Sequence, residues 1–202
     1  MLGEPLNLVI TGAGGQGNVI AAHWLGEALL RNGLRVTVGD TYGLSQRGGS
    51  VMSHIRISRD RRYGPLIPKG LAHVILGLEP VETLRVLADY GNPDVVVMTN
   101  DRPVYPLNVI AGELEYPEPQ QIRQALEELS AGVYWVSATR IAQELGGAIV
   151  ANIVMMGTLF GAGLVPVPSE IMLEVLRERL PSDKWEANRE AFYRGVSMAT
   201  EQ

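Results

Sequence analysis

Apolar positions along this chain alternate between two rhythms. Leu6-Asn-Leu-Val-Ile-Thr11 is a short apolar run closed by glycines, the pattern of a strand buried in a parallel sheet. From Val19 to Leu30 the apolar positions take helical spacing (Ile20, Trp24, Leu25, Ala28, Leu29), and Gly33 supplies a stop. Leu34 to Val38 is apolar again. The opening therefore reads as strand, helix, strand, a unit that crosses over right-handedly and builds parallel sheet. Gly39 to Ser50 is polar and glycine-containing, and is predicted to be a loop. Val51 to Ser58 alternates, with Val51, Ser53, Ile55 and Ile57 on one face and Met52, His54 and Arg56 on the other. Arg59 to Gly70 is a charged connection with proline and glycine.

The same alternation continues. Strands are predicted at His73–Gly77, Asp94–Thr99 and Val133–Val136. Pro80 suits the first turn of a helix reaching about Tyr90. Prolines 103, 106, 117 and 119 keep residues 100–119 extended or looped, with a short strand at Leu107–Ile110. Further helices are expected at Gln120–Ser130, Ala138–Leu145, Ala151–Ala162, Ser169–Arg179 and Asp183–Met198. The pattern calls for an α/β fold of three layers. A mostly parallel sheet is flanked by helices, the C-terminal portion is helical, and residues 1–202 form one domain.

Composition narrows the function. A hydrophobic content of 46% with 19% charged residues is ordinary for a globular chain. The formal net charge is -5 and the cations are scattered, which argues against nucleic-acid binding. There is no cysteine, which excludes disulfides and any thiolate-held iron–sulfur cluster within this chain. Met1 to Asn7 lacks the basic and apolar segments of a signal peptide. The longest apolar stretch, Ala148 to Val167, is interrupted by Asn152, Thr158, three glycines and Pro166, so no membrane span is expected. A cytoplasmic location fits these features.

Gly12-Ala-Gly-Gly-Gln-Gly17 falls between the first strand and the first helix. Gly12, Gly14 and Gly17 satisfy G-x-G-x-x-G in a Rossmann-like opening βαβ unit. Gly12 permits a tight turn, Gly14 a close approach to the backbone, and Gly17 close helix–strand packing. Free N–H groups and the helix dipole favour an anion there. Asp40, just past the second strand, could hold a ribose hydroxyl. A self-sufficient NAD(P)- or flavin-dependent oxidoreductase is therefore one reading. A non-catalytic nucleotide-binding or scaffold subunit is another, and a purely structural glycine turn is a third.

A second corner follows at Ser45-Gln-Arg-Gly-Gly-Ser50. Arg47 offers a cationic fork suited to carboxylate or phosphate. Gly48 and Gly49 permit positive φ, and the backbone donors around them can form an anion-binding concavity. Ser45, Gln46 and Ser50 add short polar groups. The bland alternative is a loop with a solvated arginine.

These two corners, together with Ser53-His54-Ile55-Arg56, resemble the gamma-type subunit of the 2-oxoacid:ferredoxin oxidoreductases, most like the indolepyruvate-acting branch. The resemblance continues through Leu76-Gly-Leu-Glu-Pro80, Asn100 to Pro106, Ala151-Asn152 and Leu164-Val-Pro-Val-Pro168, and so spans nearly the whole chain. It implies an enzyme complex that decarboxylates a 2-oxoacid on thiamine diphosphate, passes electrons through 4Fe-4S clusters to ferredoxin, and releases an acyl-CoA. Thiamine diphosphate, Mg and the clusters are expected on a partner alpha-type subunit. The absence of cysteine, and of a Gly-Asp-Gly followed by a downstream Asn, agrees. This chain would complete the active site and assemble the complex without being active alone. A homodimer of the isolated chain remains open.

On this reading Gly12, Gly14, Gly15, Gln16 and Gly17, with Ser45, Gln46, Arg47, Gly48, Gly49 and Ser50, face the cofactor or co-substrate. Arg47 and His54 are the candidates for a catalytic role. His54 lacks a visible orienting partner, and a structural role is the simpler account. His23 and His73 have no metal-ligand company, and no zinc spacing exists. Glu79 and Asn152 read as helix caps. Met155 and Met156 read as packing residues, and the apolar helix around them as a subunit interface.

Overall fold

A computed structural model of the chain describes residues 3–43 and 49–200. Six strands form one sheet: β1 (Leu6–Ala13), β2 (Arg35–Tyr42), β3 (Ser50–Ser58), β4 (Val74–Gly77), β5 (Val96–Asn100) and β6 (Gly132–Val136). Their order is β2-β3-β1-β4-β5-β6. β1, β4, β5 and β6 pair in parallel. β3 runs antiparallel to both β2 and β1, so it alone among these strands is reversed.

The opening strand–helix–strand unit is therefore split. Helix α1 (Asn18–Arg31) carries the chain from β1 to β2, and β3 then returns between them. The predicted loop over 39–50 is shorter than expected. β2 continues to Tyr42 and pairs it with Val51. Asp40 thus lies inside β2 and not beyond it.

Alternation along the strands divides the core. Leu6, Leu8 and Ile10 of β1, Ile55 and Ile57 of β3, and Leu76 of β4 face one side. There they meet α1, α5 (Ala138–Leu145), α6 (Ala151–Gly161), α7 (Ser169–Arg179) and α8 (Trp185–Thr200). Val9, Ile75 and Val97 face the other side, against α2 (Pro80–Tyr90) and α4 (Pro119–Glu128). Burying both faces is what near-continuous apolar strands require.

Two expectations fail here. Leu107–Ile110 is a single helical turn, α3, and not a strand. Pro106 fixes the φ that starts a turn, and Ile110 N–H closes on the Pro106 carbonyl at 3.0 Å. Helix α6 is not a surface helix: every residue from Ala151 to Phe160 is buried within this chain. Its apolar character comes from being covered on all sides, chiefly by α8, with which Gly157 and Gly195 allow backbone contact.

α1 lies on one face of the sheet and α2 on the other, and the strand order departs in opposite directions from β1 and β4. The carboxyl ends of these two strands form a topological switch point, where open α/β sheets place ligands.

Candidate functional site

The glycine turn sits at that switch point. Gly17 is the N-cap of α1 with φ 81°, and a Cβ there would stand 2.5 Å from Asn152 Nδ2. A Cβ on Gly12 would meet Gln16 Oε1 at 2.5 Å and Leu78 Cβ at 3.0 Å. Gly15 has φ 97° and nothing within 4 Å of a Cβ, so its backbone faces open space.

Gln16, expected to face a ligand, is largely committed to the fold. Its Oε1 accepts the Ala13 N–H at 2.7 Å, and its Nε2 donates to the Leu78 carbonyl at 2.8 Å. Asn100, buried at the end of β5, donates to the same carbonyl at 3.2 Å. Asn100 also exchanges hydrogen bonds with Thr139 of α5, donating to Oγ1 at 2.9 Å and accepting from its N–H at 3.1 Å. Two amide side chains thus lock together the ends of β1, β4 and β5 and the start of α5. Buried amides carry this role because each satisfies donor and acceptor at once.

Above this floor lies a cleft of about 210 Å³ lined by Gly15, Gln16, Arg102, Val104, Thr139 and Ile149 among others. Arg102 is exposed and has no ion-pair partner among the described residues. An unpaired guanidinium opposite the amino end of α1 makes the cleft electropositive, suited to a carboxylate or phosphate. A larger groove of about 390 Å³, lined by Gly17, Ile20, Trp24 and Ile149 among others, adjoins it through Ile149. A further concavity of about 390 Å³ lies at the amino end of β1 and the carboxyl end of the antiparallel β3, near Leu6 and Ile57. It sits at the opposite end of β1 from the glycine turn.

The second corner meets the first through Gly14, whose N–H donates to the Gly49 carbonyl at 2.9 Å. Ser50 begins β3 opposite Ala13. Ser45, Gln46, Arg47 and Gly48 lie outside the described residues. The sequence therefore brings the glycine turn and the near end of the second corner to one edge, and adds Arg102, Val104 and Thr139, which sequence reading passed over.

His54 does not reach the cleft. It is 1% exposed, its Nδ1 accepts the Ile67 N–H at 3.4 Å, and its ring meets Tyr90 edge-on at 5.0 Å. Burial lowers its pKa, opposed by the nearby Asp40. Asp40 is itself occupied: Ser53 Oγ donates to it at 2.6 Å and His23 Nε2 lies 2.9 Å away. The serine is fully buried and contacts the carboxylate, not the imidazole, so the trio is not a nucleophile arrangement. With both oxygens engaged, Asp40 is not set to hold a ribose. Asn152 does not cap α6; it sits inside the helix and donates to the Gly17 carbonyl at 3.4 Å. Among the described residues no three of His, Cys, Asp and Glu gather as a metal site. No helix among them is long and apolar enough to cross a membrane.

A family model for pyruvate ferredoxin/flavodoxin oxidoreductase matches residues 7–198. The chain belongs to that family. Within the oxidoreductase family, it is 40% identical over 196 residues to the indolepyruvate oxidoreductase subunit IorB of Thermococcus kodakarensis, covering 96% of each chain. The gamma subunit of a keto/oxoacid ferredoxin oxidoreductase from Geobacter sulfurreducens has the same fold, with TM-score 0.69 and 22% identity over 98% of this chain and 99% of that one. The 2-oxoglutarate:ferredoxin oxidoreductase of Magnetococcus marinus, solved with 2-oxoglutarate, coenzyme A and succinyl-CoA bound, superposes with TM-score 0.76 at 21% identity. There the match takes in 99% of this chain but 32% of the longer one. The family fold is thus found both as a separate subunit and as part of a larger polypeptide.

Proposed function

We propose that this chain is the small subunit of a thiamine-dependent 2-oxoacid:ferredoxin oxidoreductase, with an arylpyruvate such as indolepyruvate as the 2-oxoacid, and that it acts as one domain. The 40% identity to a full-length indolepyruvate oxidoreductase subunit supports the substrate class. The observation that carries the role of the chain is its cleft. Gly15 and the amino end of α1 face Arg102 across a floor locked by Gln16 and Asn100. That is a receptor for an anionic group, the carboxylate of a 2-oxoacid or a phosphate of CoA.

On this reading thiamine diphosphate with its Mg, and the 4Fe-4S clusters, reside on a larger partner subunit and supply the carbanion and electron-transfer chemistry. A chain without cysteine fits that division. This subunit binds and orients the anionic co-substrate, excludes water from one wall of the shared pocket, and leaves electron delivery to ferredoxin to its partner. Gly49, whose carbonyl accepts the Gly14 N–H, extends the same wall, and Arg47 is assigned as a second cation for the co-substrate.

Arg102→Ala in the assembled complex tests the reading. Loss of a charge-assisted pair to a carboxylate or phosphate costs about 1.5–3 kcal/mol. The KM for indolepyruvate or for CoA should therefore rise roughly tenfold or more, with kcat changed less. Unchanged constants for both would remove Arg102 from the site. Purification from native cells should bring down a cysteine-rich, thiamine-binding chain.

A further inference from the structure

Glu79 follows β4 at the switch point and is 2% exposed, yet no cation pairs with it among the described residues. A buried carboxylate is costly unless donors surround it. Its Oε2 accepts the Glu82 N–H at 2.8 Å, which is ordinary capping of α2. A shorter Ser or Asp would do as much. Its Oε1 does something else: it accepts the Tyr116 hydroxyl at 2.5 Å and the Val104 N–H at 3.4 Å.

Val104 and Tyr116 are the two ends of the excursion between β5 and α4. That excursion presents Leu107, Ile110 and Leu114 to solvent, 75%, 70% and 58% exposed. Its other hydrogen bonds are internal, such as Ala111 N–H to Leu107 and Glu113 N–H to Asn108. Tyr105 stacks edge-on against Tyr116 at 5.1 Å, which closes the neck. The Val104 N–H and the Tyr116 hydroxyl thus tie the two ends of residues 102–117 to one buried carboxylate. Arg102 and Val104, at the near end of the strap, are walls of the cleft.

The geometry points to Glu79 and Tyr116 as positioning residues, a buried staple that sets where Arg102 and Val104 stand relative to the glycine turn. Its link to substrate rests on the proposed function; the staple itself does not. Glu79 is held above the ordinary carboxyl range by its burial, as expected for a carboxylate retained for what it holds and not for charge pairing.

Tyr116→Phe keeps the ring and deletes the hydroxyl. In the full chain without substrate, amide exchange across residues 104–116 should accelerate about tenfold or more, the scale of one charge-assisted hydrogen bond. Exchange in β4 and β5 should not change. In the assembled complex the KM for indolepyruvate or CoA should rise severalfold while kcat stays within about twofold. Glu79→Gln, which retains one acceptor oxygen, should give a smaller effect on both. Unchanged exchange in both variants would overturn the staple. Faster exchange with both kinetic constants unmoved would overturn its positioning role. An unmodified complex that turns over no 2-oxoacid counts against the proposed function, and exchange still decides the staple.

Discussion

His54 stands in the core with its Nδ1 accepting the Ile67 N–H and its ring edge-on to Tyr90. Burial lowers its pKa below the ordinary 6.5, with Asp40 pulling weakly the other way. Burial lowers the pKa of His73 as well. Just below pH 6.5 the unfolded chain therefore binds more protons than the folded one. Stability is fully present above that pH and is lost as pH falls toward the folded values, with a slope of at most about 1.4 kcal/mol per pH unit for each histidine. Urea midpoints measured between pH 7.5 and 5 should show this decline. His54→Asn, whose Oδ1 replaces the Nδ1 acceptor but cannot titrate, should flatten it. Equal slopes in both proteins would show that His54 is not the titrating group. At this scale the sequence was legible where backbone geometry dictates residue type: Gly17 takes φ 81° against Asn152, and Gly12 has no room for a Cβ. It was not legible for Gln16 or Asp40, whose side chains are committed to partners far away along the chain or on the next strand.

Helices α6 and α8 touch through glycine. A Cβ on Gly157 would stand 2.0 Å from the Phe192 carbonyl oxygen, and one on Gly195 2.0 Å from that of Val154. Neither backbone can retreat without opening the core around Phe192 and Met156. Gly157→Ala should therefore destabilise by about 3 kcal/mol or more, despite alanine's better helix propensity. Gly64→Ala, with open space around it, should stay within about 0.5 kcal/mol. Equal urea midpoints for the two variants would contradict this packing. Helix spacing and strand alternation made most elements readable. Two failures share a cause, since local pattern does not record what covers a segment. Leu107-Asn-Val-Ile110 looks like a strand by composition, but it follows Pro106 on an exposed excursion and closes as a turn. Helix α6 looks like an interface because it is apolar all round, but the covering residues belong to this chain.

For the whole molecule, the split crossover places the glycine turn, Gly49 and Ser50 and the strap at one end of the parallel strands. The glycines announce part of that end, because their spacing is local. Arg102, Thr139 and the Glu79–Tyr116 staple belong to it only through the order β1-β4-β5 and the packing of α5, which no local spacing encodes. A wall of backbone, the Arg102 guanidinium, unpaired among the described residues, and locked amides can hold an anion. A reconstitution tests the proposed division of labour most directly. Indolepyruvate- and CoA-dependent ferredoxin reduction is measured for this chain alone, for the proposed thiamine-binding partner alone, and for the two combined. Substantial turnover is expected in the combined sample only. Turnover by this chain by itself, with a redox coenzyme bound to it, would contradict that division.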